Sequence, residues 1–313
     1  MGYDTSFHPV DLGLVETRLL PYLAGHGDDD ALDDVVARAV TIRKTRFHAK
    51  AWALGVQRVA RRDDSLPFEA DLHVWGRPFF IVGDGADLIA EDIERYLAAT
   101  TPEDVAGLAT EMIHRIDPAL AGRVEPDQTG YLPDDGVLAK SLSTAMRVLR
   151  GAALALRAGE RTVRHPHSGD EFDAAEVLSR EVPFCLLKFA AALLPGWMSR
   201  GRTWPTYLCG EAGLAHAEFD GPEPLRALLC EEFPGLDWPP LPPSITGNYM
   251  VGGLVRAADV PAVRTRLASH RYALKCDALD AQKLDEALGV AERLGTAFCE
   301  ATEVYSGMEG ELN

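Results

Sequence analysis

Cysteine is scarce and has none of the spacings that would give it a structural role. Cys185, Cys209, Cys230, Cys276 and Cys299 are odd in number, no two are close, and no Cys-x-x-Cys pair occurs. That excludes a disulfide framework and a cysteine zinc knuckle, and leaves reduced, mostly buried thiols. Long apolar runs are missing too. The richest, around Phe184 to Met198, is interrupted by Lys188 and Pro195-Gly196, too short and broken to span a bilayer. The first residues include Asp4, Asp11, Glu16 and Arg18 without an apolar core, so no secretory signal is expected and the expected compartment is the cytoplasm. Basic residues are in deficit. Thirty-one Lys and Arg face 48 Asp and Glu, a net charge of −17. Such a field repels nucleic-acid phosphates and favours a cationic partner. There is no Gly-x-Ser-x-Gly, no His-Glu-x-x-His and no P-loop. The commonest hydrolase and NTPase signatures are therefore excluded, though not an enzyme with scattered residues.

What remains is globular composition with enough apolar residues for a core at this length. Thr5–Val10 reads as a short strand, followed by a helix capped by Asp11 and running to about Leu23. The acidic run Asp28, Asp29, Asp30, Asp33 and Asp34 opens a long helix to about Ala60, where carboxylates complement the helix dipole. Leu72–Val82 has strand composition, and helices are expected at about 86–98 and 102–116. Asp117–Asp135 is a polar loop with three prolines. Leu138, Leu142, Ala145, Leu149, Ala152 and Leu156 form the apolar stripe of a helix from Val137. A further buried helix is expected from about Val182 to Leu194, then short strands at 206–208, 217–219 and 249–256. Helices at about 260–268 and 278–294 and a strand over 297–305 complete the chain. The expected fold is α+β, helix-dominated, with one or two small mixed or antiparallel sheets. A single domain over 1–313 is preferred to a split into 1–120 and 137–313 joined by 121–136. The segment from Asp11 to Leu19 aligns with that from Asp259 to Leu267, each after a strand. It reads as one cap and stripe used twice, with duplication of a strand–helix unit as the alternative.

The densest set of possible ligands is His165-Pro166-His167-Ser168-Gly169-Asp170-Glu171. His165 and His167 share a face if the segment is a strand, and Asp170 adds an oxygen donor, so a metal site is one reading. Its remaining ligands would come from His8, Asp11 or His48. The other reading is a hairpin anchored by Val163 and Phe172, with Ser168-Gly169 at the turn and Asp173 capping the next helix, paired with Glu176. Turn chemistry accounts for every residue without a metal and is preferred.

Other constellations have plainer accounts. Gly83-Asp84-Gly85-Ala86-Asp87 follows a strand-like run, but two carboxylates stand where a pyrophosphate needs positive potential, so Asp84 or Asp87 reads as a helix cap. Cys209 and His216 lack a protease-like setting. The aromatic region 197–249, with Pro239–Pro243, reads as core. Trp238 is expected to tuck the proline segment down rather than present it to an SH3-like domain.

The opening Met1-Gly2-Tyr3-Asp4, running into a strand and helix, together with Cys299-Glu-Ala-Thr-Glu-Val304, resembles small bacterial proteins that include immunity proteins of polymorphic toxin systems. The resemblance is confined to the two ends and carries no functional residue. It implies a cytoplasmic bacterial protein that works by binding. The leading expectation is therefore a non-enzymatic protein, without cofactor, whose acidic residues Asp28, Asp29, Asp30, Asp33, Asp34, Glu91, Asp92 and Glu94 steer and mask a basic protein partner. The alternative is a metal-dependent, hydrolase-like enzyme using His165, His167 and Asp170.

Overall fold

A computed structural model describes residues 5–63, 65–66, 81, 83–165, 168–194, 197–198, 223–236, 238, 248–271, 278–302 and 304. Strand β1 (Thr5–Val10) leads into α1 (Leu12–Leu14), a π-helical stretch (Val15–Leu19) and α2 (Leu20–Leu23). Helices α3 (Asp33–Ala60), α4 (Ala86–Ala98), α5 (Pro102–Ile116) and α6 (Asp135–Arg157) follow. A hairpin of β2 (Thr162–Arg164) and β3 (Glu171–Asp173) feeds α7 (Ala174–Ala191). Then come β4 (Trp197–Met198), α8 (Glu223–Glu232), β5 (Val251–Val255), α9 (Val260–Ser269), α10 (Ala278–Leu294) and β6 (Ala297–Thr302). The fold is helix-dominated α+β with small antiparallel sheets, as expected.

The main sheet has the order β4-β1-β6-β5, with every neighbour antiparallel. Its strands do not alternate between core and solvent; β5 and β6 are buried throughout. The reason is that helices cover both faces. Val10, Cys299, Ala301, Val251 and Leu254 pack with α2, α6, α7, α8 and the first half of α3. Phe7, Phe298 and Val255 point the other way, against α4, α9, α10 and α5. Strands buried on both sides, as β5, β6 and the described part of β1 are, must satisfy their polar groups internally. Ser6 Oγ lies 2.6 Å from His8 Nε2, and Gly253 N–H donates to Glu300 Oε1 at 3.0 Å. Gly252 is required beside it, since a Cβ there would stand 2.1 Å from Glu300 Oε1.

The caps explain where several helices begin. The side chains of Asp11, Asp134 and Asp173 accept from the N–H groups of Leu14, Val137 and Glu176. Thr101 and Asp104 form a reciprocal capping box on α5. The echo of Asp11 at Asp259 is only partial, because Asp259 makes no side-chain cap bond. Helix α7 begins at Ala174, capped by Asp173 as expected, and runs on without a break through the buried stretch expected from about Val182. Pro183 lies inside the helix, which is carried through by burial of Leu178, Val182, Leu186 and Leu187. Helix α8 was not anticipated. Asp84 and Asp87 do not cap α4, whose N-cap is Gly85 at φ 83°. Asp84 instead meets Arg115 at 3.2 Å.

The polar loop before α6 is fastened to α3. Asp127 N–H donates to Ala51 C=O at 2.8 Å, Arg58 pairs with Asp127, and Val124 packs on Val56. Arg123 bridges to Asp63 at 2.7 Å, and hydrogen bonds from Ser65 and Arg123 hold the Asp63 carboxyl down at about 2. Trp238 is buried against Phe233, with ring centroids 5.9 Å apart, as expected. The strands expected at 72–82, 206–208 and 217–219 lie outside the described residues apart from Ile81, as do Cys209, His216 and Pro239–Pro243.

Candidate binding groove

The acidic run at the start of α3 is presented by a clasped loop. Arg150, buried on α6, donates to the carbonyls of Tyr22 (2.5 Å), His26 (3.0 Å) and Gly27 (2.6 Å), and its guanidinium lies 4.6 Å from the Tyr22 ring centroid. This fixes the chain just before Asp28. Asp28, Asp29, Asp30, Asp33 and Asp34 are all exposed. Two of them are spoken for. Asp34 pairs with Arg18 at 2.7 Å, which draws its carboxyl below the usual range, and Asp29 meets Arg150 at 3.4 Å. Among the described residues Asp28, Asp30 and Asp33 have no ion pair.

The second acidic group divides. Glu91 and Glu94 are exposed on α4. Asp92 is not a surface residue: it is 2% exposed and held by both guanidinium nitrogens of Arg115. Residue 92 falls on the same helical stripe as Ile89, Ile93 and Tyr96, which face the core. Asp92 therefore cannot meet a partner, and its place in the expected binding set is corrected.

The His165 segment is the expected hairpin. His165 N–H donates to Asp170 C=O (2.8 Å) and Gly169 N–H to His165 C=O (3.0 Å), with Gly169 at φ 76°. His165 Nδ1 accepts from the Ser168 N–H at 3.2 Å. His167 lies outside the described residues. No group of three His, Cys, Asp or Glu able to hold a metal occurs among the described residues. Of the more distant ligand candidates, His8 is buried in the sheet, and burial, reinforced by Arg46, holds its imidazole down at about 3. Asp11 is engaged as a cap, and half-buried His48 is lowered by burial and then by Lys44.

What the hairpin does build is a groove. It closes one end of a cleft of about 470 Å³ between α6 and α7. The floor is apolar, with Ala145, Val148 and Leu149 from α6, Val177 and Cys185 from α7, and Phe172 from β3. Phe172 is 41% exposed, an uncompensated aromatic at the edge. The rim carries Asp173, Glu176 and Glu181, with Arg180 bound to Glu181 at 2.9 Å and 3.8 Å from Glu176. Cys185 is no nucleophile, since burial and then Glu181 push its thiol up to about 11. Phe172, Asp173 and Glu176 were visible in the sequence as hairpin anchor and cap. Val148, Val177 and Glu181 were not, because only the packing of α6 on α7 brings them together.

No family model, curated protein or solved structure matches this chain. No described helix is long and apolar enough to cross a membrane.

Proposed function

We propose that this protein acts by binding a basic protein partner, in the manner of an immunity or antitoxin protein of the bacterial cytoplasm. The observation that carries the reading is the α6–α7 groove, an apolar floor open to solvent whose rim carries three carboxylates against one arginine, Arg180. A cleft of this kind suits an apolar side chain flanked by Lys or Arg: burial of the anchor supplies affinity and the carboxylates reject acidic competitors. Asp28, Asp30 and Asp33, which have no ion pair among the described residues, together with Glu91 and Glu94 raise the rate of encounter with a cationic surface.

The test is capture from the native host with three baits: the natural chain, Val148→Glu, and a triple Asp28→Asn, Asp30→Asn, Asp33→Asn variant. The expected result is a stoichiometric basic protein held by the natural chain and lost with Val148→Glu. The triple variant should lower the association rate by tenfold or more at low salt, with little change in dissociation. A captured protein that is acidic, or indifferent to Val148→Glu, overturns the reading, as does recovery of nothing above background.

A further inference from the structure

Beyond the groove, and sharing Ser141, Ala145, Glu181 and Cys185 with it, lies a second cavity of about 280 Å³. Leu142 and Met146 of α6, Phe184 and Phe189 of α7, and Tyr249 make it largely apolar. Two cations face into it, Arg43 from α3 and Lys188 from α7. Arg43 is anchored to the wall, its Nη1 3.5 Å from Ser141 Oγ. Lys188 is not anchored. Its ammonium makes no ion pair and no hydrogen bond among the described residues; its contact is the Phe184 ring, 5.9 Å from Nζ to centroid. Glu181, at the mouth, is already bound to Arg180 at 2.9 Å. Among the described residues of a chain with 48 acidic side chains, a half-buried ammonium thus stands beside a guanidinium with no carboxylate paired to it. Burial is the chief influence lowering the Lys188 ammonium, and Arg43 works in the same direction.

A second observation falls on the same cavity. Tyr249 is the non-glycine residue with positive φ (60°) among the described residues. That left-handed backbone is strained for a tyrosine, and its ring meets Phe184 edge to face with centroids 5.8 Å apart. Tyr249 as a whole is 57% exposed, so its own burial does not repay that strain.

We propose that this cavity binds a small amphipathic carboxylate, its head between Lys188 and Arg43 and its apolar body against Leu142, Met146, Phe184 and Tyr249. A carboxylate supplies the counter-charge the ammonium lacks, with the Arg43 guanidinium alongside it. Size supports an organic acid over a bare ion. An engineered cavity of about 150 Å³ accepts benzene, so this one has room for a ring with a short acid arm. The inference does not rest on the partner reading, and its test contains no partner.

Calorimetric titration of the full chain with 3-phenylpropionate, with its neutral amide and with 3-phenylpropylamine separates head from tail. The acid is expected to bind, the amide at least tenfold more weakly, and the amine not at all. Lys188→Met keeps the side chain's length and apolar contacts, so the fold should survive, as circular dichroism will report. It should weaken the acid at least tenfold and leave the amide unchanged. In the absence of ligand it should raise the midpoint of thermal unfolding, because a desolvated charge has been removed. Equal binding of acid and amide overturns the proposal. So does acid affinity weaker than about 1 mM, or an acid affinity that Lys188→Met leaves intact.

Discussion

Asp92 and Glu91 are neighbours in sequence and opposites in energetics. Both belong to one acidic run, but an α-helix turns about 100° per residue, and the turn that leaves Glu91 in water carries Asp92 between Ile89 and Tyr96. There its carboxylate is forked by Arg115, with Arg95 3.6 Å away. Removing one partner of a buried pair strands the other, a loss of about 3–5 kcal/mol in dry sites. Arg115 is partly exposed and keeps Asp84, whose carboxyl burial raises while Arg115 pulls it down. Asp92→Ala should therefore fall at the low end, about 3 kcal/mol, whereas Glu91→Ala should lie within about 0.5 kcal/mol of the natural chain. Urea unfolding of the two variants checks this, and equal midpoints would refute the burial argument.

At the scale of elements, two helical glycines make opposite predictions. In isolation, glycine in a helix interior is worse than alanine by about 1 kcal/mol. At Gly107 on α5 an added Cβ meets nothing within 4 Å, so Gly107→Ala should stabilise by up to about 1 kcal/mol. At Gly55 on α3 the same atom would stand 2.1 Å from the Glu125 carbonyl oxygen and 3.0 Å from Val124 Cγ1. The clash is with backbone that is itself tied down through Asp127, so it outweighs the propensity gain. Gly55→Ala should destabilise by about 2 kcal/mol or more. Thermal unfolding of the pair gives the signs directly, and a stabilised Gly55→Ala would mean that the loop moves freely on α3.

Elements governed by local rules were legible in the sequence. Helices α4 and α5 run over 86–98 and 102–116, the ranges expected from the sequence, and the hairpin follows its turn residues. The Asp173 cap marked the start of α7, but local rules did not show that this helix continues through Pro183 into the buried stretch from about Val182, where the apolar stripe decides. The groove could not be read at all. Its floor pairs Val148 with Val177 and its inner cavity pairs Arg43 with Lys188, and neither pairing exists until α3, α6 and α7 have packed.

For the molecule as a whole, the decisive feature is a sheet whose described residues in β1, β5 and β6 are all buried. His8, on the middle of β1, is paired across the sheet with Cys299 and has Arg46 as a cationic neighbour from α3. Burial is the larger cause and Arg46 the smaller in keeping its imidazole neutral down to about pH 3. In the unfolded chain the same imidazole takes up a proton near pH 6.5. Between those values the unfolded state holds about one more proton than the folded state, so stability rises with pH there and is lost as pH falls from about 6.5 toward 3. One proton corresponds to about 1.4 kcal/mol per pH unit in the middle of that window. A His8→Gln variant removes this linkage whatever it does to absolute stability. The experiment is urea unfolding at several pH values from 7 down to 4, comparing slopes of stability against pH rather than the stabilities themselves. The natural chain should show the steeper acid slope, by about 1.4 kcal/mol per unit. Parallel slopes would mean that the acid sensitivity arises elsewhere, in the carboxylates held low by their ion pairs and hydrogen bonds at Asp34, Asp63, Asp104 and Asp127.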